Sequence, residues 1–258
     1  MSDDYFKVIR GGLNSTFQDE GREGLYHIGI PFSGAMDKRN YLIANKLNNN
    51  NNEAVLEFAY QGPLLKYFGR KRNIVITGNV NFKILKKDKS QVNEECYRTI
   101  EINNGDTIDI ISTNKSVYGY LSIGADIDIN YQWKSCSINT RAKIGANDGN
   151  KLSEGQKFSL LNLNTNYNKK KIDYINTKIE NLRIIKGTNY DYFSQEGIQN
   201  FFGKQFIVSK LSDRMGMRLE GSNIENIVNT KIKSEGLIKG VIQVPADGNP
   251  IIMLSDHG

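Results

Sequence analysis

The chain of 258 residues is poor in the side chains that most often carry chemistry, with two histidines, His27 and His257, and two cysteines, Cys96 and Cys136. The histidines lie at opposite ends of the chain, match no zinc-ligand spacing and leave few candidates for a histidine base, so no metal site is expected. The cysteines fit neither a metal nor a redox pattern, which points to a reduced compartment. No apolar run approaches the roughly 20 residues that span a bilayer. The start, Ser2-Asp3-Asp4, lacks the basic and apolar regions of a signal peptide. A soluble cytoplasmic protein without membrane contact is therefore expected. Also missing are a Gly-Lys-Ser or Gly-Lys-Thr phosphate loop, a Gly-x-Ser-x-Gly elbow and a His-x-x-x-His pair.

Charge of one sign is in modest excess, a formal +6. It is diffuse: Lys83 to Lys89 and Lys169 to Lys171 sit beside acidic or Asn-rich stretches, without a repeated pattern of stacking aromatics. Such clusters read as solvated faces, and no nucleic-acid partner is expected.

Against four prolines stand 24 glycines, a ratio suited to strands joined by tight turns. Short runs rich in Ile, Val, Tyr and Phe predict strands at Asn73–Thr77, Thr107–Ile111, Val117–Ile123, Phe158–Leu163, Leu182–Ile185, Phe206–Ser209 and Val241–Val244. Helices are predicted at Met36–Leu47, with Asp37 near its N-terminus, and at Tyr190–Phe202, whose aromatic stripe reads as packing. The asparagine run Asn48–Asn52 is expected to be an exposed loop. The polar stretch Asn164–Lys171 is either a long hairpin tip or a boundary between subdomains, placed near 164–176.

Three blocks carry more information. The first runs from Gly12 to Gly24 and on through Gly29–Asp37, gathering Thr16, Gln18, Asp19, Arg22 and Ser33 among glycines. Arg22 could give parallel hydrogen bonds to a carboxylate while Asp19 orients it or accepts a proton, or the two could pair and fix a turn. The second is Ser212–Gly221; in an extended strand Arg214 and Arg218 share one side and Met215 and Met217 the other, giving either a local cationic patch or a surface strand with core methionines. The third joins Ser234-Glu235-Gly236 to Gly240–Leu254, where Asp247-Gly248 signals a turn and Gln243 is a polar group in an apolar strand.

In this order the blocks resemble the biotin-dependent carboxyltransferase-like family of the allophanate hydrolase subunit 2 type, which includes the C-type subunit of ATP-dependent 5-oxoprolinase. Thr16–Arg22 matches its Thr-x-Gln-Asp-x-Gly-Arg, and Gly29–Asp37 its Gly-x-Pro-x-Ser-Gly-Ala-Met-Asp. Ala44–Leu47, Leu56-Glu57 and Gly62-Pro63 follow, then Ser212–Gly221 as Ser-Asp-Arg-Met-Gly-x-Arg-Leu-x-Gly, and Ser234–Gly236 with Ile242–Pro245 as closing motifs. The stretch Trp133–Thr140 departs from the family's Leu-Gly-Ser-Arg-Ser-Thr. The family pattern continues beyond Ser255-Asp256-His257, so the resemblance implies that residues 1–258 form one carboxyltransferase-like domain lacking its C-terminal end.

The resemblance further implies a mainly β fold of two interlocked cyclophilin-like barrel units with a few short helices. It implies a hydrolase that, with B-type (allophanate hydrolase subunit 1 type) and A-type subunits, opens 5-oxoproline to glutamate using ATP. Asp19, Arg22 and Arg214 are its candidate catalytic residues, and Gln18, Ser33, Arg218 and Gln243 would bind a small amide or lactam. Two other readings from the same resemblance are a regulatory protein that antagonises a kinase-inhibitor partner, and the carboxyltransferase component of a urea carboxylase.

Overall fold

The computed structural model describes residues 4–51, 54–162, 168–174, 176, 179–228 and 235–257. The chain is mainly β, as expected, and divides into two compact units. Unit 1 comprises Met1–Arg22 and Gly34–Ile175; unit 2 comprises Glu23–Ser33 and Asn176–Gly258.

Unit 1 contains β1 (Tyr5–Arg10), β2 (Asn14–Gln18), β3 (Val55–Ala59), β4 (Leu64–Phe68), β5 (Arg72–Thr77) and β6 (Val80–Leu85). It continues with β7 (Gln91–Val92), β8 (Thr99–Ile102), β9 (Thr107–Thr113), β10 (Tyr118–Ile123), β11 (Asp126–Ile127) and β12 (Lys157–Leu161). A seven-stranded sheet has the order β11-β12-β1-β4-β9-β6-β7, and a five-stranded sheet the order β2-β3-β10-β5-β8. In β1, Phe6 and Val8 point into the core while Lys7 is exposed, the alternation of a strand buried on one face.

The middle of the five-stranded sheet behaves differently. All six residues of β5 are buried. Ile74 and Ile76 join the main core together with Phe6, Leu65 and Ile108 of the other sheet. Val75 faces the opposite way, into a second cluster with Tyr120 and with Tyr41, Ala44 and Leu47 of α1 (Lys38–Leu47). A strand covered on both faces needs apolar residues at consecutive positions, which is why Ile74-Val75-Ile76 shows no polar alternation. The Asp37 carboxylate caps α1 by accepting from Asn40 N at 3.0 Å.

The asparagine run is not simply an exposed loop. Asn48 is buried, and both Asn48 Nδ2 and Asn50 Nδ2 donate to Ser122 Oγ, at 3.3 and 3.2 Å. Asn49 between them takes φ +58°, a left-handed conformation that asparagine tolerates better than most residues. Asn52 lies outside the described residues, as do Leu163 and residues 164–167 of the polar stretch; β12 ends at Leu161.

Unit 2 holds α2 (Gln195–Gly203) and a four-stranded sheet of β13 (Phe206–Val208), β14 (Gly216–Gly221), β15 (Ile242–Gln243) and β16 (Ile251–Met253), in the order β13-β14-β16-β15. The helix expected over Tyr190–Phe202 is a 3₁₀ turn at Tyr190–Tyr192 followed by α2, whose first turn is capped by Ser194 accepting from Gly197 N. The expected turn at Asp247-Gly248 is present: Gly248 has φ +75° and donates its N–H to Pro245 O at 3.0 Å. Leu182–Ile185 forms no strand, and Leu182 and Ile185 are 75% and 95% exposed. Its β-branched composition favours a pleated surface, but no ladder pairs with it among the described residues, and β-propensity without a partner strand does not make a strand. Among the described residues no helix is long and apolar enough to cross a membrane.

Candidate functional site

In unit 1 the first sequence block converges on the segment that departs most from the expected pattern. Asp19 Oδ1 accepts from Ser135 Oγ at 2.6 Å, Ser137 Oγ at 2.5 Å and Gly21 N at 2.9 Å, and its Oδ2 accepts from Cys136 N at 2.7 Å. Gln18 Nε2 donates to Ile138 O at 2.9 Å, and Arg22 Nη2 donates to Ser137 O at 2.5 Å. All three side chains are buried. Gln18, Asp19 and Arg22 therefore grip residues 135–138, and four donors hold the Asp19 carboxylate in place. The local field has a chemical consequence for Cys136. Burial first, and the Asp19 carboxylate second, push its thiol well above the ordinary range, so it stays protonated and is no nucleophile. The buried Tyr41 phenol is raised in the same way, by burial and then by Asp19 and Glu20.

The neighbouring Ser-Gly-Ala-Met-Asp motif is a turn fixed by geometry. Ser33 is buried with φ +57°, and Gly34 has φ +81°. A Cβ on Gly34 would lie 2.8 Å from Glu20 O, so only glycine fits. Ala35 N donates to Asp19 O at 3.0 Å. Beyond it, the buried Glu57 carboxylate accepts from Met36 N and from Tyr120 OH, each at 2.8 Å, while Tyr120 OH accepts from Asp37 N at 2.7 Å. The Leu-Glu motif thus holds the start of α1.

In unit 2 the two arginines of the second block separate. Arg214 is buried and grips the buried Asp256 with two parallel hydrogen bonds, Nε to Oδ2 at 2.9 Å and Nη2 to Oδ1 at 3.0 Å. Arg218 is exposed on β14, which begins only at Gly216. Of the two readings of this block the joint cationic patch is not formed: one charge is neutralised inside and the other faces solvent. Arg218 instead shares a cross-strand row with Gln243, because both pair with Ile251 of β16, and both are exposed. In the third block Ser234 lies outside the described residues.

Sequence reasoning missed the surroundings of His257. Its ring is buried and stacks on Tyr26, with centroids 5.6 Å apart and Nε2 3.3 Å from Tyr26 OH. Lys239 Nζ donates to Ser255 Oγ at 3.1 Å nearby. Burial lowers the His257 pKa below its ordinary value, the Lys239 charge adds to this, and Asp256 opposes it. The usable signal was the position of Tyr26 and His257 beside informative blocks, although a stacked pair so distant in sequence has no local pattern. Among the described residues no group of three or more His, Cys, Asp or Glu is placed to hold a metal ion.

An antiparallel, mainly β chain with these two anchored blocks defines a carboxyltransferase-type domain. Residues 28–258 match the model of the carboxyltransferase domain, subdomain A and B, and the chain belongs to this family. It is similar to the C-type subunit of 5-oxoprolinase from Escherichia coli, with 27% identity over 261 residues, covering 97% of this chain and 79% of that one. Among solved structures, TTHA0988 superposes with a TM-score of 0.83 at 25% identity, covering 100% of this chain and 50% of that one. The chain thus spans half the length of that protein. Urea amidolyase of K. lactis shares the fold with a TM-score of 0.80 at 24% identity, covering 98% of this chain and 16% of that one.

Proposed function

We propose that this chain serves as the C-type subunit of an ATP-dependent 5-oxoprolinase, which with B-type and A-type subunits opens the lactam of 5-oxoproline to glutamate. The observation that supports this most is the extent of its likeness to the C-type 5-oxoprolinase subunit of Escherichia coli, 97% of one chain and 79% of the other. Opening a lactam adds water across the C–N bond: the carbonyl carbon gains an oxygen, the bond to nitrogen breaks, and the nitrogen takes up a proton. Amide resonance opposes this, and ATP hydrolysis in the assembled enzyme supplies the drive.

In this reading Gln18, Asp19 and Arg22 act chiefly by positioning residues 135–138, where Gln18 Nε2, the Asp19 carboxylate and Arg22 Nη2 are engaged. Arg214, held by Asp256, keeps the β14 entry in place, and Ser33 shapes the turn before α1. Arg218 and Gln243 are the exposed members of the set, suited to the carboxylate and the amide of the substrate respectively.

Coexpression with B-type and A-type subunits tests the reading. The expected result is a copurifying complex whose ATP hydrolysis depends on 5-oxoproline, with no such turnover by this chain alone. Substrate-dependent turnover by the isolated chain, or an assembly that instead carboxylates urea in a biotin-dependent reaction, would overturn it.

A further inference from the structure

Unit 1 contains a cavity of about 690 Å³ walled mainly by the loop between Thr140 and Gln156, which follows the segment that Asp19 grips. Its volume falls within the range of roughly 300–1,000 Å³ typical of small-molecule sites. The wall is unusually constrained. Asn147, Asp148 and Gly149 are three consecutive residues in the left-handed region, with φ of +52°, +51° and +67°, and Lys143 shares it at +56°. Such conformations persist in non-glycine residues only where the surroundings over-determine them. Here side-chain amides do so: Asn147 Nδ2 donates to Asn150 O at 2.8 Å, Asn150 Nδ2 to Asp148 O at 3.1 Å, and Gln156 Nε2 to Asn147 Oδ1 at 2.7 Å.

Two cations face this rigid wall. Lys143 Nζ donates to Asn150 Oδ1 at 2.6 Å and Lys151 Nζ to Leu13 O at 3.1 Å. Neither acceptor carries a charge and each ammonium has donor capacity to spare, against one carboxylate, Asp148, in the lining. The remainder of the lining is polar apart from Leu152. Two charged donors on a wall of amides and hydroxyls suit a small, hydrophilic anion and offer little to an apolar ligand.

We propose that this cavity binds a small carboxylate or phosphate anion through Lys143 and Lys151, with the hydroxyls of Thr140 and Ser153 in its lining as further donors. The proposal stands apart from the 5-oxoprolinase reading and does not depend on it.

Calorimetric titration of the full chain with inorganic phosphate, with glutarate and with the neutral glutaramide tests it. One equivalent of at least one anion should bind saturably and glutaramide should not; the tighter anion identifies a phosphoryl or a carboxylate ligand. Lys143→Gln with Lys151→Gln should weaken that binding by about tenfold or more, while Lys169→Gln with Lys171→Gln, which removes the same charge elsewhere, should leave it unchanged. Backbone amide shifts of residues 147–150 in the unaltered chain supply a second readout should the first pair of changes disturb folding. Absence of saturable binding by either anion, equal loss in both double variants, or amide shifts that spare residues 147–150 would overturn the proposal.

Discussion

Asp19 had the sequence context of a reacting carboxylate, set between a glutamine and an arginine among glycines. In space two serine hydroxyls and two backbone amides donate to it. Removing it leaves donors of residues 135–137 buried without their acceptor, and each orphaned group costs about 1–3 kcal/mol. Asp19→Ala should therefore lose about 3 kcal/mol or more of stability in urea titrations; a loss below about 1 kcal/mol would show that water replaces the carboxylate without strain. His257 offers a pH-dependent counterpart. Its folded-state pKa lies below the ordinary 6.5 because the ring is buried. As pH falls from neutrality through 6.5, the unfolded chain takes up the proton before the folded one, so stability is full above that value and is lost on further acidification. Urea midpoints measured between pH 7.5 and 5 should decline less in His257→Gln than in the unaltered chain, and parallel declines would remove His257 as the cause.

At the scale of elements, legibility followed the reach of the forces. The β5, β9, β10 and β13 runs and α1 were readable because each carries its own apolar pattern, and the Asp37 cap lies only three residues from its donor Asn40. Leu182–Ile185 looked equally strand-like, yet pairing is a property of two segments, and one segment cannot reveal a missing partner. Arg214 and Arg218 were misjudged for a related reason. The period-two argument assumed an extended strand through both, whereas the strand starts at Gly216 and Arg214 turns inward to Asp256, 42 residues away. The loop after Ser137 escaped notice altogether, since its conformation rests on glycines whose necessity shows only in space. Gly145 has φ +99°, and a Cβ there would sit 2.1 Å from Ser137 O. Gly145→Ala should cost about 2–4 kcal/mol, strain and overlap together, and should also disturb the Asp19 contacts to Ser135 and Ser137. By contrast Gly155→Ala, at φ +83° but with open space around it, bears only the backbone term. Similar urea midpoints for the two variants would contradict this account.

Across the whole molecule the apolar core is unevenly divided. The main cluster of unit 1 draws on both of its sheets, and the far face of the five-stranded sheet is covered again by α1. In unit 2, among the described residues, the buried apolar side chains are Ile224, Met253 and the prolines Pro31 and Pro250, while Phe202, Ile207, Val208 and Leu211 are exposed. Apolar burial contributes roughly 25 cal/mol per Å², so local opening of unit 2 should require far less free energy than opening of unit 1. What holds unit 2 inside is largely polar, with the Arg214–Asp256 pair as its buried charge contact. Hydrogen exchange on the folded chain should therefore find amides of β3, β5 and β10 protected roughly a hundredfold or more beyond those of β14 and β16. Arg214→Ala should widen that gap. It strands the Asp256 carboxylate in a buried place, a lesion of about 3–5 kcal/mol, and its effect should fall on β14 and β16 while β5 keeps its protection. If Arg214→Ala instead lowered protection equally in β5 and β16, the two units would open as one cooperative body and the uneven core would not govern their stability.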